Sequence, residues 1–320
     1  MLPLIRHTCS SMAPMVLILV CFWGGVSEAQ NARKKVEIKD PETVVMVTKD
    51  QVELRAEWFP GKAEKSTVPV ILLHDWDGSR KDLYPLADYL HRQKGFAVLV
   101  PDLRGHGDSL SVKNRQELID RSKFRKNDYV GLLEDIEACK RFLIAKNDDG
   151  ELNIDLLTIG AVGKLAPFAV DYSLRDWTWQ PLAGVKQGQD VKAIVMISPE
   201  RKFKSSSMTP AFRIPLISGK GGDPFPIFLT WGTKNAATAR EGKEIFSTLD
   251  RSRPTVKDAK TDEEQWRKQT LFRIRYNSNQ SGKALMDEKG DKMFGNIGMF
   301  IEKKVADRKD EFRWQARKRN

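Results

Sequence analysis

The sequence predicts an α/β protein with a mostly parallel central sheet and helices on both faces. Three observations carry this. Val68–Leu73, Phe96–Val100, Val191–Ile197 and Ile227–Trp231 are nearly continuous apolar runs, the pattern of strands buried on both faces. Segments with apolar residues at helical spacing lie between them, as crossovers between parallel strands require. The chain has 320 residues, 40% of them hydrophobic, with no repeat period and no linker-like stretch inside 43–304, so one large core is expected.

The first segment reads as an export signal over residues 1–29. Arg6 and His7 give a basic start, Met15–Trp23 is an unbroken apolar run, and Ser27 and Ala29 place small residues at −3 and −1 of a cleavage site. The run is shorter than the roughly 20 residues that span a bilayer. Periplasmic or secreted location is the expectation, with an uncleaved membrane-surface anchor as the alternative. Cys21 is discounted as a lipid-attachment site because Val20 before it is too large. Residues 30–42 form a polar lead-in.

Val44–Val47 is a short β-branched strand. Val52, Leu54, Ala56 and Trp58 alternate with Glu53, Arg55 and Glu57, so the next strand is half exposed and near a sheet edge. Lys49-Asp50 suits a hairpin turn between the two. Helices are predicted over 80–92, 129–145, from the 160s to about Asp176, over 236–249 and over 292–305. A last strand covers Leu271–Tyr276, and 201–224 is a connection without a strong period. Cys139 falls in the series Leu132, Ile136, Cys139, Leu143, one helix face, so it belongs to the core. With Cys9 and Cys21 in the signal, that lone thiol leaves no internal disulfide.

The net charge of +11 is the chain's strongest bulk property. A solvated basic surface is the plainer reading, and attraction to anionic polymers or a lipid surface is the alternative. Residues 305–320 form a basic extension carrying Phe312 and Trp314, expected as a solvated, frayed helix or else as a docking peg. No nucleic-acid motif is present and no cofactor is implied; a small molecule or a protein is left as the partner.

VILLHDWDGSRKDLYPLADYL followed by FAVLVPDLRGHGDS resembles the front half of the α/β-hydrolase fold, in which one strand ends in His-Gly and the next in Pro-Asp-x-Arg-Gly-x-Gly-x-Ser. KNDDGELNID, RDWTWQPLAGVKQGQDVKAIVMISP and the final helix resemble an exported bacterial group of that fold with degenerate catalytic motifs. The resemblance spans about 43–304. It implies a nucleophile at a strand-to-helix elbow, an acid after the next-to-last strand and a histidine after the last.

Each implied position has drifted. LLTIGAVGKL is the elbow segment, and G-x-S-x-G laid on Gly160–Lys164 places Val162 at its centre. Lys164 replaces the second glycine, so an ordinary turn rather than a strained elbow is expected. Asn235 stands where the acid would orient a histidine, and Ser278 lies in the loop where the histidine would be. His7, His74, His91 and His106 are the only histidines. His74-Asp75 replaces His-Gly in the oxyanion region, where a carboxylate opposes developing negative charge. The reading is a hydrolase-fold protein that has lost triad catalysis and serves in binding or assembly.

A second reading keeps catalysis at a relocated site. His74, Asp75, Asp77, Asp102, His106 and Asp108 end two adjacent strands and form a candidate pocket, which could hold a divalent cation. The plainer alternative pairs Asp102 with Arg104 in a glycine-rich turn. Ser198 and Glu200 are a further candidate nucleophile and acid, with no base in view.

Overall fold

The computed structural model describes residues 39–317 except 63, 181–185, 254–255 and 257–258. The predicted signal over 1–29 and most of the lead-in lie outside the described residues. Among the described residues the main sheet has eight strands in one continuous order, β1 (Glu42–Val47), β2 (Val52–Phe59), β3 (Pro69–Leu73), β4 (Ala97–Pro101), β5 (Leu157–Val162), β6 (Val191–Ile197), β7 (Ile227–Gly232) and β8 (Leu271–Tyr276), and a two-residue ninth, Ser111–Val112, on the edge of β2. Their spatial order is β1-β2-β4-β3-β5-β6-β7-β8. β2 runs antiparallel to both neighbours, and every pairing from β4 onward is parallel.

Among the described residues five long helices complete the layers: α1 (Tyr84–Lys94), α2 (Lys126–Asp148), α3 (Ala166–Thr178), α4 (Ala236–Asp250) and α5 (Gly282–Lys304). Strand residues alternate between two cores. Ile71 and Leu73 join Leu132, Phe168 and Ile245 on the α2, α3 and α4 face. Val70 and Leu72 join Leu90, Leu285 and Phe300 on the α1 and α5 face. Each such side chain contributes roughly 1.5–3 kcal/mol by leaving water, which fixes the register more firmly than strand propensity does. Gly160 of β5 lies opposite Leu72, and a side chain there would collide with that leucine.

The 201–224 connection folds into a small hairpin, Lys202–Phe203 with Ser206–Ser207, and two one-turn helices. The last helix begins ten residues earlier than its sequence pattern predicts, at Gly282. A short helix, Asp262–Lys268, has no periodic signal in the sequence because Trp266 is its one apolar residue; that ring stacks on Phe272 of β8.

The C-terminal extension departs from the solvated tail expected for 305–320. Residues 312–317 lie back on the domain. Trp314 donates its indole N–H to Asn147 O, and Asn147 and Asn153 donate side-chain N–H groups to Gln315 O and Phe312 O. Arg317 is buried and pairs with Asp190 and Asp155. The tail joins a buried charge cluster in the body. Asp155, Asp176 and Asp190 are buried together, and Lys140, Lys186 and Arg317 converge on them. Buried carboxylates require partners, so the basic tail is drawn in.

Candidate active-site cleft

Strand β5 ends at Val162 and the chain turns at once into a helical segment, Gly163–Leu165, that leads into α3. Val162 has ordinary extended geometry, φ −111° and ψ 138°. Gly163 carries the left-handed φ of +55°. The apex of the elbow is therefore Gly163, not Val162, and the turn is left-handed rather than the ordinary one expected from the sequence. Only glycine takes that conformation at little cost. Val162 instead points into the α1 and α5 core and is buried.

The space a side chain at Gly163 would fill is occupied by the Asp75 carboxylate, which overlaps any Cβ built there. Asp75 Oδ1 accepts the backbone N–H of Trp76 at 2.7 Å and that of Lys164 at 2.9 Å. These are the N–H groups that an acyl-transferring elbow of this kind aims at an oxyanion, one from the residue after the apex and one from the β3 loop. Here the protein's own carboxylate accepts them. Asp75 Oδ2 has no donor among the described residues and lies toward Gly163 and Gly282, which line the cleft. Burial raises the carboxyl above the usual range, against the lowering effect of the two N–H bonds and of Lys164.

The cleft has a volume of about 330 Å³ and is lined by Asp75, Gly163, Ser198, Glu200, Arg240 and Gly282 among others. It lies at the carboxyl ends of the strands, where open α/β sheets bind ligands. Ser198, which follows β6, has φ +49°, and its hydroxyl oxygen accepts the Gly282 N–H at 2.9 Å. Glu200 has no side-chain hydrogen bond or ion pair among the described residues. Burial raises its carboxyl, with Asp75 adding to the effect.

The other predicted positions play supporting parts. Asn235 caps α4 by accepting the Thr238 N–H and donates to Asn279 O. Ser278 donates to Glu288 and accepts from Gln280 N–H, turning the loop after β8 rather than reaching the cleft. From that loop Ser281 and Gly282 line the cleft. Sequence reasoning missed Gly163 and Gly282, although each glycine sits at a turn where a positive φ was a readable signal.

The candidate pocket of His74, Asp77, Asp102, His106 and Asp108 does not assemble. His74 is fully buried: Nδ1 donates to Asp75 O, and Nε2 accepts the Leu103 N–H. Burial first, and then His106, pull its pKa down to about 4. His106 faces two carbonyls, Arg104 O and Trp76 O, and burial lowers its pKa too. Asp77 sits on the rim, paired with Lys164 at 2.6 Å. Asp102 pairs with Arg80, not Arg104, and Arg80 also holds Asp108 at 2.8 Å. Arg104 reaches instead to Asp135 and Asp50. The imidazoles serve backbone groups because both loop turns leave carbonyls and amides inside the core. Among the described residues no group of three or more His, Cys, Asp or Glu is placed to hold a metal ion.

No family model matches the chain, and no curated protein matches its sequence. Solved structures do. The chain is similar to the Pyrococcus furiosus esterase Pf2001, at 16% identity and a TM-score of 0.54, over 83% of this chain and 93% of that one. It is similar to EstE1, a thermostable carboxylesterase cloned from a metagenomic library, at 13% identity and a TM-score of 0.58, over 85% and 91%. An alpha-beta serine hydrolase homologue from Coxiella burnetii matches at 11% identity and a TM-score of 0.51, over 82% and 98%. At these identities the likeness concerns the fold, and its strand order and elbow agree with it: the chain is an α/β-hydrolase-fold protein.

Proposed function

We propose that this chain is an exported α/β-hydrolase-fold protein that carries out no triad acyl transfer and acts by binding at its cleft. The observation behind this reading is the elbow apex. Gly163 offers no nucleophile, and Asp75 takes up both the space and the N–H donors that an acyl substrate would need. Two further features support it. His74 and His106 are committed to backbone groups, and no histidine follows residue 106 to act as base. Export rests on the apolar run Met15–Trp23 and the small residues at Ser27 and Ala29.

Panels of ester, thioester and peptide substrates under single-turnover conditions test the catalytic half. No product above the buffer rate is expected. Turnover that disappears on a point change in the 74–108 loops would overturn it. Intact mass of the protein recovered from an exporting host tests the other half, with a new amino terminus after Ala29 expected and a full-length chain contradicting it.

A further inference from the structure

The cleft is lined by charged groups of both signs that have no partner among the described residues. At the floor, Asp75 Oδ2 and the Glu200 carboxylate are acceptors without a donor among the described residues, and both side chains are partly buried. Lys202 and Arg240, both exposed, line the same space and make no ion pair among the described residues. Of the remaining charged neighbours, Arg201 pairs with Glu244 at 2.9 Å, and the Glu241 carboxylate accepts the Arg201 backbone N–H at 3.0 Å. Lys164 is turned to Asp77.

The floor is an oxyanion site with its polarity reversed. Two N–H groups that would otherwise receive negative charge are taken by Asp75 Oδ1, and the other oxygen of that carboxylate presents negative charge outward. The oxyanion that develops from an ester carbonyl during acyl transfer would meet Asp75 head on. A protonated nitrogen would supply the donor the floor lacks, and charge-assisted hydrogen bonds of this kind are about twice as strong as neutral ones. The dimensions match a small molecule, since ligand pockets start at about 300 Å³.

We infer that the cleft takes a small zwitterion, its ammonium group on Asp75 and Glu200 and its carboxylate on Lys202 and Arg240. This rests on the non-catalytic reading of the same site and names its ligand class. Ser198 and Ser281 line the same space and can bond polar groups of the ligand.

Calorimetric titration of the full chain with 4-aminobutanoate, butylamine and butanoate tests the assignment. Binding is expected in that order of affinity, with butanoate at least tenfold weaker than butylamine. Asp75→Asn keeps an oxygen for the two N–H groups while removing the charge, and should weaken both amines tenfold or more. Arg240→Gln should weaken 4-aminobutanoate and leave butylamine unchanged. Butanoate binding as well as butylamine, no heat from any probe, or wild-type affinity in Asp75→Asn would overturn the ligand class. Hydrolysis of p-nitrophenyl butyrate, measured on the same preparations, separates the two claims. Turnover there removes the non-catalytic reading whatever the titrations give; without turnover, the titrations alone decide the ligand class.

Discussion

The Asp75 carboxylate accepts the backbone N–H of Lys164 at 2.9 Å, across 89 residues of sequence. That bond joins the end of β3 to the turn after β5 and puts a fixed negative group at the centre of the cleft. It also makes Gly163 and Asp75 mutually dependent, because a side chain on the glycine and the carboxylate would share one volume.

Gly163→Ala should therefore destabilise the protein by roughly 2–4 kcal/mol, from the left-handed backbone and from overpacking against Asp75. Asp75→Gly made in the same chain should recover the overpacking part, so the double variant is more stable than the sum of the single changes predicts. A urea-unfolding double-mutant cycle measures this; strict additivity would show that the two residues do not compete for space.

The Arg80 network separates buried from exposed charge. Asp102 and Asp108 both pair with Arg80, with side chains 1% and 59% exposed respectively. Asp102→Ala should cost roughly 3–5 kcal/mol, because it removes the buried partner of Arg80 and the acceptor of the Arg80 and Asp108 backbone N–H groups, whereas Asp108→Ala should cost about 1 kcal/mol or less. Thermal or urea midpoints of the two variants give the comparison, and equal losses would contradict the burial argument.

The docked tail predicts a stability cost for its removal. Arg317→Ala leaves Asp155 and Asp190 with Lys140 and Lys186, so the loss should be about 2–3 kcal/mol, below that of an isolated buried pair. Deleting 312–320 should cost at least as much, and the effect should persist in high salt because the pair is shielded from solvent. An unchanged urea midpoint for the deletion would mean the tail contributes nothing in solution.

Acid should weaken the fold through His74. Its folded pKa of about 4 lies below the unfolded value of 6.5, so the unfolded chain binds more protons between those pH values. Stability from this group is complete above pH 6.5 and is lost as pH falls toward 4. Asp75, Asp135 and Glu200, whose carboxyls are raised by burial, work in the opposite sense. His74→Gln isolates the histidine: its urea midpoint should fall less between pH 7 and pH 4.5 than that of the native chain. A parallel fall would assign the acid sensitivity elsewhere.

The layers were legible because parallel strands are written as apolar runs; Val191–Ile197 and Leu271–Tyr276 carry the bounds read from sequence. The start of α5 was not, since Lys283, Asp287, Glu288 and Asp291 around Leu285 and Met286 look like a solvated loop until the sheet supplies a face for the two apolar residues. At the site the sequence revealed an absence but misplaced it by one residue. A motif that reserves its glycines for the flanks assigned the centre to Val162, whereas the backbone needs its positive φ at the residue that follows the strand. Asp75 was recognised as hostile to an oxyanion, but its occupation of the N–H groups depends on a contact 89 residues away. His74, Asp102 and His106 share a sheet edge, as the sequence implies, yet nothing in it tells that carbonyls, amides and Arg80 claim them.

The central claim is that no activated hydroxyl or thiol stands in the cleft. Intact mass spectrometry after incubation with a fluorophosphonate reports on it directly, because that reagent modifies a serine only when a neighbouring base and oxyanion donors activate it. An unshifted mass is predicted for the native chain, with a serine esterase labelled to completion alongside it. A stoichiometric adduct on Ser198, Ser281 or any other residue lining the cleft would contradict the account.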